Sequence, residues 1–213
     1  MPDLQNAYIT VAELRTALGD NGTNLQSDLL VLAANSASRA VDAWTGRRFW
    51  MDDTPSTQVF EPVDAYDLWL ADDIASTTGL VIATDDNGNG AYDAAPWDVL
   101  DYQLWPYRAN NAGSLYGAWW KLESLRGKRF NLPNIAGRHG LAPVRITARF
   151  GWSFVPDPVK QATLLKALQL FKRKDAPFGV AQFGDIAAVR ITRADADVLE
   201  LLWPYVRDMA MVG

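Results

Sequence analysis

Apolar positions recur at helical spacing in four stretches of the chain and alternate at strand spacing between them. In the first stretch Val11, Leu14 and Leu18 mark one face, and Thr10 with Glu13 forms a T-x-x-E capping box, so a helix is predicted over Val11–Leu18, stopping at Gly19. The second stretch is the longest. Ser27 suits an N-cap and Gly46 a C-cap, which predicts a helix over Ser27–Thr45 with Leu29, Leu32, Ala33, Ser36, Ala37, Ala40 and Trp44 as its buried stripe. The third is Pro158–Lys172, where Asp157 is the expected cap and Pro158 sits in the first turn, a place where its missing N–H costs nothing. The fourth is Asp195–Trp203, with Val198, Leu199, Leu202 and Trp203 on one side, and Pro204 ending or kinking it. These helices are expected to pack as one bundle around Leu29, Leu32, Ala40, Trp44, Leu164, Leu168 and Leu202.

Between the second and third helices the period changes. Short β-branched or aromatic segments predict strands near Thr57–Glu61, Leu68–Leu70, Gly79–Thr84, Tyr92, Leu100–Leu104, Leu122–Ser124 and Val144–Phe150. Turn clusters DDNGNG, RANNAG and NLPNIAGRHG separate them. The expected class is therefore α+β: a four-helix base, two helices N-terminal and two C-terminal, carrying an inserted small antiparallel β domain. Residues 1–50 form the N-terminal half of the base, 51–150 the β-rich insert, and 151–213 the C-terminal half with a tail. Met1–Asn6 is polar and reads as loose.

Composition narrows the chemistry. With no cysteine, disulfides and thiolate metal sites are excluded. A net charge of −5 argues against a general grip on nucleic acid, which requires basic surface. No apolar run reaches membrane-spanning length, and MPDLQNAYIT lacks a secretory pattern, so host cytoplasm and a released particle are the expected locations. Nine tryptophans stand out, and they suit a core or an interface equally.

Candidate sites are few. Asp85–Gly90 matches the first half of a calcium loop, with Asp85, Asn87, Asn89 and Asp93 as oxygen ligands, but Pro96 stands where the bidentate Glu belongs. A Gly-Asn hairpin turn explains the same residues. His139 is the sole histidine, in a turn-rich stretch, with no partner for a triad or a histidine metal site. Asp64, Asp67, Asp72 and Asp73 could hold a carboxylate pair, although bunched aspartates more often cap solvated turns. Phosphate-binding glycine motifs are missing, so no enzyme and no cofactor is expected. Three basic groups remain: Arg47–Arg48, then Arg126, Lys128 and Arg129, then Lys172–Lys174. Interleaved Phe49, Trp50 and Phe130 would suit nucleic acid, whereas an acidic chain favours pairing with its own carboxylates.

A combination of motifs resembles the phage head-to-tail adaptor family: the helix opening at YITVAELRTALG, then AANSASRAVDAWTGRRFW, then GWSFVPDPVKQATLL and KRKDAPFG. It covers the first fifty residues and about the last sixty, while the centre matches only in style. The resemblance implies a structural virion protein of the neck between head and tail. It would form a dodecameric ring below the portal protein, continue the DNA channel without gripping DNA, and carry a head stopper or other neck protein. The simpler family members are almost wholly helical, so the β insert departs from them. An alternative is a Trp-rich β-domain that binds carbohydrate on a helical platform, which requires exposed coplanar aromatics such as Trp119–Trp120. A third option is an enzyme built on the aspartate cluster.

The resemblance also implies portal docking through the C-terminal part. Beyond Pro204 the tail mixes Tyr205, Val206, Met209, Met211 and Val212 with two charges, Arg207 and Asp208. Trp203, Tyr205, Val206, Arg207, Met209 and Met211 are therefore expected to bind a partner, with Tyr205–Gly213 leaving its own bundle to order on portal or on a neighbouring subunit; the alternative is that this tail folds back on its own bundle.

Overall fold

The computed structural model describes residues 3–19, 26–62, 64–86, 89–92, 95–111, 114–132, 143–172, 180–181, 189–190 and 196–207. Along the chain run α1 (Val11–Leu18), α2 (Ser27–Thr45), β1 (Ser56–Phe60), β2 (Asp67–Thr84), β3 (Tyr102–Trp105), β4 (Trp119–Ser124) and β5 (Val144–Phe150). Then come α3 (Asp157–Lys172), β6 (Val180–Ala181), β7 (Val189–Arg190), α4 (Ala196–Leu202) and a 3-10 turn at Trp203–Tyr205. The architecture is α+β, two helices before the large sheet and two after it. The chain forms two compact units, one from Met1–Gly46 with Val155–Arg207 and one around Arg47–Phe154.

In the helical unit α1 begins as its capping box dictates: the Thr10 hydroxyl accepts from Glu13 N at 3.1 Å and Glu13 Oε2 accepts from Thr10 N at 2.6 Å. That backbone N–H holds the Glu13 carboxyl below its ordinary value, against a smaller effect of burial. Ser27 does not cap α2. It is the first helical residue after Gln26, and its hydroxyl accepts from Arg15 Nη2 at 2.9 Å. Gly46, at φ 65°, closes α2 in the left-handed conformation.

The buried stripe of α2 lies one position away from the sequence expectation. Leu30, Val31, Ala33, Ala34, Ala37, Ser38, Val41 and Thr45 are buried, whereas Leu32 and Trp44 are exposed and Ala40 is half-buried. Ile9, Leu14, Ala167 and Phe171 complete the core around Leu30, Ala33, Ala34 and Ala37, with Leu29, Leu164 and Leu168 at its margin. Small side chains line the middle of α2, so α3 can approach its backbone. Buried hydroxyls are satisfied locally, as Ser38 Oγ and Thr45 Oγ1 donate to the carbonyls four residues earlier at 2.8 and 2.9 Å.

A second face of α2 is covered by the N-terminal segment, which is anchored rather than loose over residues 3–9. Gln5 N donates to Asn35 Oδ1 at 3.0 Å, Tyr8 N to Ser38 Oγ at 3.1 Å, and Arg39 to the carbonyls of Gln5 and Asn6 at 3.1 Å each. Tyr8 Oη donates to Asp42.

The other unit is a five-stranded antiparallel sheet ordered β1-β5-β2-β4-β3. Val144–Phe150 forms the strand expected of it, since its strict alternation buries every second residue. The expected strands at Leu68–Leu70 and Gly79–Thr84 are halves of one long strand, β2, which pairs with β4 through its first part and with β5 through its second. Register shifts at Trp69/Ile74 and Ser76/Val81 explain why the sequence reads as two strands, because each shift breaks the alternation. Tyr92 is not in a strand. Leu68, Leu70, Ile74, Ile82, Leu122, Val144, Ile146 and Phe150 form the core on one face, where Trp97 and Phe130 stack at 4.9 Å.

Candidate functional site

The four clustered aspartates occupy separate, paired positions. Asp64 Oδ1 accepts from Tyr66 N and Asp67 N at 2.6 and 2.7 Å, the turn role expected of it. The others lie in β2 and meet cations. Asp67 pairs with Lys121 at 3.1 Å, Asp72 with Arg48 at 2.8 Å and Asp73 with Arg47 at 2.7 Å. The shift after Trp69 helps turn Asp73 inward, where its carboxylate also accepts from Trp152 Nε1 at 2.7 Å. No two of these carboxylates are bonded as a catalytic pair.

Arg47 and Arg48 are consumed by the same arrangement. Arg47 is buried, donates to both oxygens of Asp73 at 2.8 and 2.7 Å, and lies 4.4 Å from the Trp120 ring centroid. Arg48 joins Asp52 at 2.5 Å and Asp72 at 2.8 Å, with its guanidinium 4.3 Å from the Trp50 ring. Burial opposes the charged form of Arg48, yet Asp52 and Asp72 outweigh it and raise its pKa above the ordinary value. Hydrogen bonding from Arg48 in turn holds the Asp52 carboxyl below its ordinary value of 3.8. Phe49 packs edge-on against Trp152 at 4.8 Å. Gly151 is obligatory here: at φ 102°, a Cβ would stand 1.8 Å from Trp50 O. The RRFW and GWSF motifs are thus the structural lock of the β unit.

Arg126, Lys128 and Arg129 lie on an exposed loop. Lys128 reaches Asp101 at 3.8 Å, and Arg129 lies 5.1 Å from the Tyr66 ring. Of the third basic group Lys172 is exposed, and residues 173–174 lie outside those described.

In the Asp85–Gly90 stretch the described hydrogen bonds join Asp85 to Asn89 and Gly90. Asp85 is buried, and its two oxygens accept from Asn89 N at 3.3 Å and Gly90 N at 2.9 Å. Asn87, Asp93 and His139 lie outside the described residues, among which no group of three acidic or histidine side chains could hold a metal. Trp119 and Trp120 are half-buried neighbours on β4 and leave opposite sides of the strand. Trp119 packs on the sheet core and Trp120 meets Arg47 and Tyr116, so they form no coplanar platform. Elsewhere on the outer face Lys121 lies between Trp69 and Trp105, 5.7 and 5.5 Å from their ring centroids, while Trp105 Nε1 donates to Glu123 at 2.7 Å.

The C-terminal residues differ from the expected free tail. Tyr205 is 3% exposed, and Arg207 is 6% exposed, donating from its backbone N to Thr45 O at 2.7 Å and from Nε to Gly46 O at 3.0 Å. The chain therefore stays on its own helical unit through Arg207, because the uncapped carbonyls at the end of α2 attract a cation. Tyr205 and Arg207 are thus buried on the helical unit, whereas Trp203 is 76% exposed and Val206, near it in sequence, 36%. Met209 and Met211 lie outside the described residues.

Sequence reasoning missed the remaining surface, because it read Leu29, Leu32, Ser36, Ala40 and Trp44 as the buried stripe of α2 and did not single out Ala43. Leu29, Leu32, Ser36, Ala40, Ala43 and Trp44 follow one another at helical spacing on α2, on the face left by the core and by the N-terminal segment. Leu29, Leu32, Ala33 and Ser36 border an open, mainly apolar groove of about 230 Å³ with Leu170 and Phe171 of α3.

No known family profile matches the chain, and no curated protein matches it. Solved structures share its fold. A chain from the neck of an empty gene transfer agent particle with C6 symmetry aligns over 97% of this chain and 93% of its own, at TM-score 0.55 and 17% identity. A chain from the neck of the native particle with C12 symmetry aligns over 97% and 92%, at TM-score 0.51 and 17% identity. At such identity the likeness is one of fold.

Proposed function

We propose that this chain is a structural head-to-tail adaptor of a tailed phage or phage-like particle. Copies form a ring, a dodecamer, below the portal; the ring continues the DNA channel and carries the next neck protein. The observation that carries this reading is the end-to-end correspondence of fold, over 97% of the chain, with chains of symmetric particle necks. The family resemblance of AANSASRAVDAWTGRRFW and GWSFVPDPVKQATLL also supports it, since Arg47 and Trp152 from these motifs meet at Asp73 and the second motif opens α3. The pairing of Asp67, Asp72 and Asp73 with cations removes the argument for an enzyme on that cluster. Trp119 and Trp120 leave opposite sides of β4, so the pair that the carbohydrate reading named offers it no flat platform.

In this role the channel wall is acidic or mixed, so that phosphates slide past it, and DNA is not bound specifically. With a net charge of −5 per copy, repulsion multiplies around the ring. Portal docking falls to the segment beyond Arg207, with Met209 and Met211 as its adaptable apolar groups. The test is electron microscopy of the purified protein with and without the portal of its own particle. Rings coaxial with the portal are expected. Absence of both rings and portal binding would refute the reading.

A further inference from the structure

We propose that the open face of α2 is a head-to-tail contact between copies of this chain, in which Trp203 of one copy seats in the α2–α3 groove of the next. The inference rests on the ring reading above and names the contact that would close the ring. Around α2, one face packs in the core and a second holds the N-terminal segment. The third face is apolar and open, with Leu32 at 58% and Trp44 at 49% exposure. A helix apolar over more than its core face has a further partner to meet.

The partner is a second copy for three reasons. First, the groove of about 230 Å³ is below the size of pockets that hold small-molecule ligands, but it suits one large side chain. Second, the same unit presents such a side chain: Trp203 stands on a 3-10 turn held from both sides by buried Leu202 and Tyr205, and Arg207 ties that turn to Thr45 and Gly46. A rigid, exposed indole is among the side chains in which interface hot spots are enriched. Third, the groove flanks Leu29–Ser36 whereas Arg207, four residues past Trp203, is bonded at Thr45 at the far end of α2, about 18 Å along the axis at 1.5 Å per residue. A copy therefore cannot fill its own groove. Two different patches on one chain make a heterologous contact, the kind that generates rings.

At about 150–250 Å² per buried aromatic, Trp203 and Trp44 at their exposures supply roughly 190–310 Å². A stable dimer buries about 800 Å² per partner, so this contact alone is weak and gains by repetition around a closed circle.

The absence of cysteine makes the contact testable by introduced thiols. Full-length protein carrying both Ser36→Cys and Val206→Cys, oxidised gently, should give a ladder of linked multimers. A mixture of the two single variants should stop at linked dimers, and each alone should stay unlinked. Adding Trp203→Ala to the double variant should cut linking at least ten-fold while leaving its circular dichroism melt unchanged. No ladder, or a ladder indifferent to Trp203→Ala, overturns the contact, as does linking of the Ser36→Cys variant to portal or another neck protein instead. Microscopy of the unmodified protein on its portal separates the two readings. Rings without linking discard this contact alone, and neither rings nor linking discards both.

Discussion

Replacing Asp73 by Asn would neutralise a buried carboxylate that accepts two hydrogen bonds from Arg47. The Arg47 side chain is 6% exposed and that of Asp73 1%, so solvent cannot take over. Breaking a buried pair from one side leaves an uncompensated charge and costs about 3–5 kcal/mol. For a cooperative transition of a chain this long, each kcal/mol corresponds to about 2–4 °C, which puts the loss at roughly 6–20 °C. The assay is thermal and denaturant unfolding followed by tryptophan fluorescence, which Trp120 and Trp152 report directly because they flank the pair. Lys128→Ala breaks the 3.8 Å pair with Asp101, whose lysine is 44% exposed, and should change stability by less than about 1 kcal/mol. A double change, Arg47→Met with Asp73→Leu, should recover much of the loss, since it removes the charges together. If Asp73→Asn melted within about 1 kcal/mol of the parent, the buried pair would not be the lock of the β unit.

Other outcomes follow from the same geometry. Gly151→Ala should cost on the order of 3 kcal/mol or more in denaturant melts, because strain at positive φ adds to a collision with Trp50 O. The Asp52 carboxyl is held below its ordinary value of 3.8, so its contribution is present above that pH and lost as pH falls through the lowered folded value. Acid unfolding of Asp52→Asn should lack that component. Arg207→Ala should destabilise the helical unit by about 1.5–3 kcal/mol, measured by circular dichroism, through its lost bond to Gly46 O. At physiological salt the protein should not retain duplex DNA in a mobility-shift assay.

Helix limits were the most legible part of the chain. α1 and α2 have the bounds that their periodicity and terminal glycines predict, and β5 those that its alternation predicts. What stayed hidden was phase and pairing. On α2 apolar residues cover both the true core and the adjacent open stripe, so a count of helical matches cannot tell Leu30 from Leu29 or Leu32. Only the partner, α3, decides which is inside. β2 read as two strands because alternation fails where the register shifts, and Asp72 and Asp73 read as turn residues for the same cause. Their arginines are a strand and a loop away, a distance no local pattern spans. The tail misled because composition alone cannot show that Arg207 finds the open carbonyls of α2.

The division of the helical unit between residues 1–46 and 155–207 also sets the timetable of its synthesis. Helices α1 and α2 leave the ribosome first, yet α3, which buries Ala37 and Leu30, is made only after the whole sheet. At about 5–20 residues per second, residues 47–154 take roughly 5–20 s to translate. Through that interval α2 has α1 and the N-terminal segment but lacks α3, while β1 to β5 can already pair with one another. Nascent chains should therefore show a protease-resistant β unit before a protected α2, and a chaperone that holds apolar helices should be found on residues 27–45 during that window.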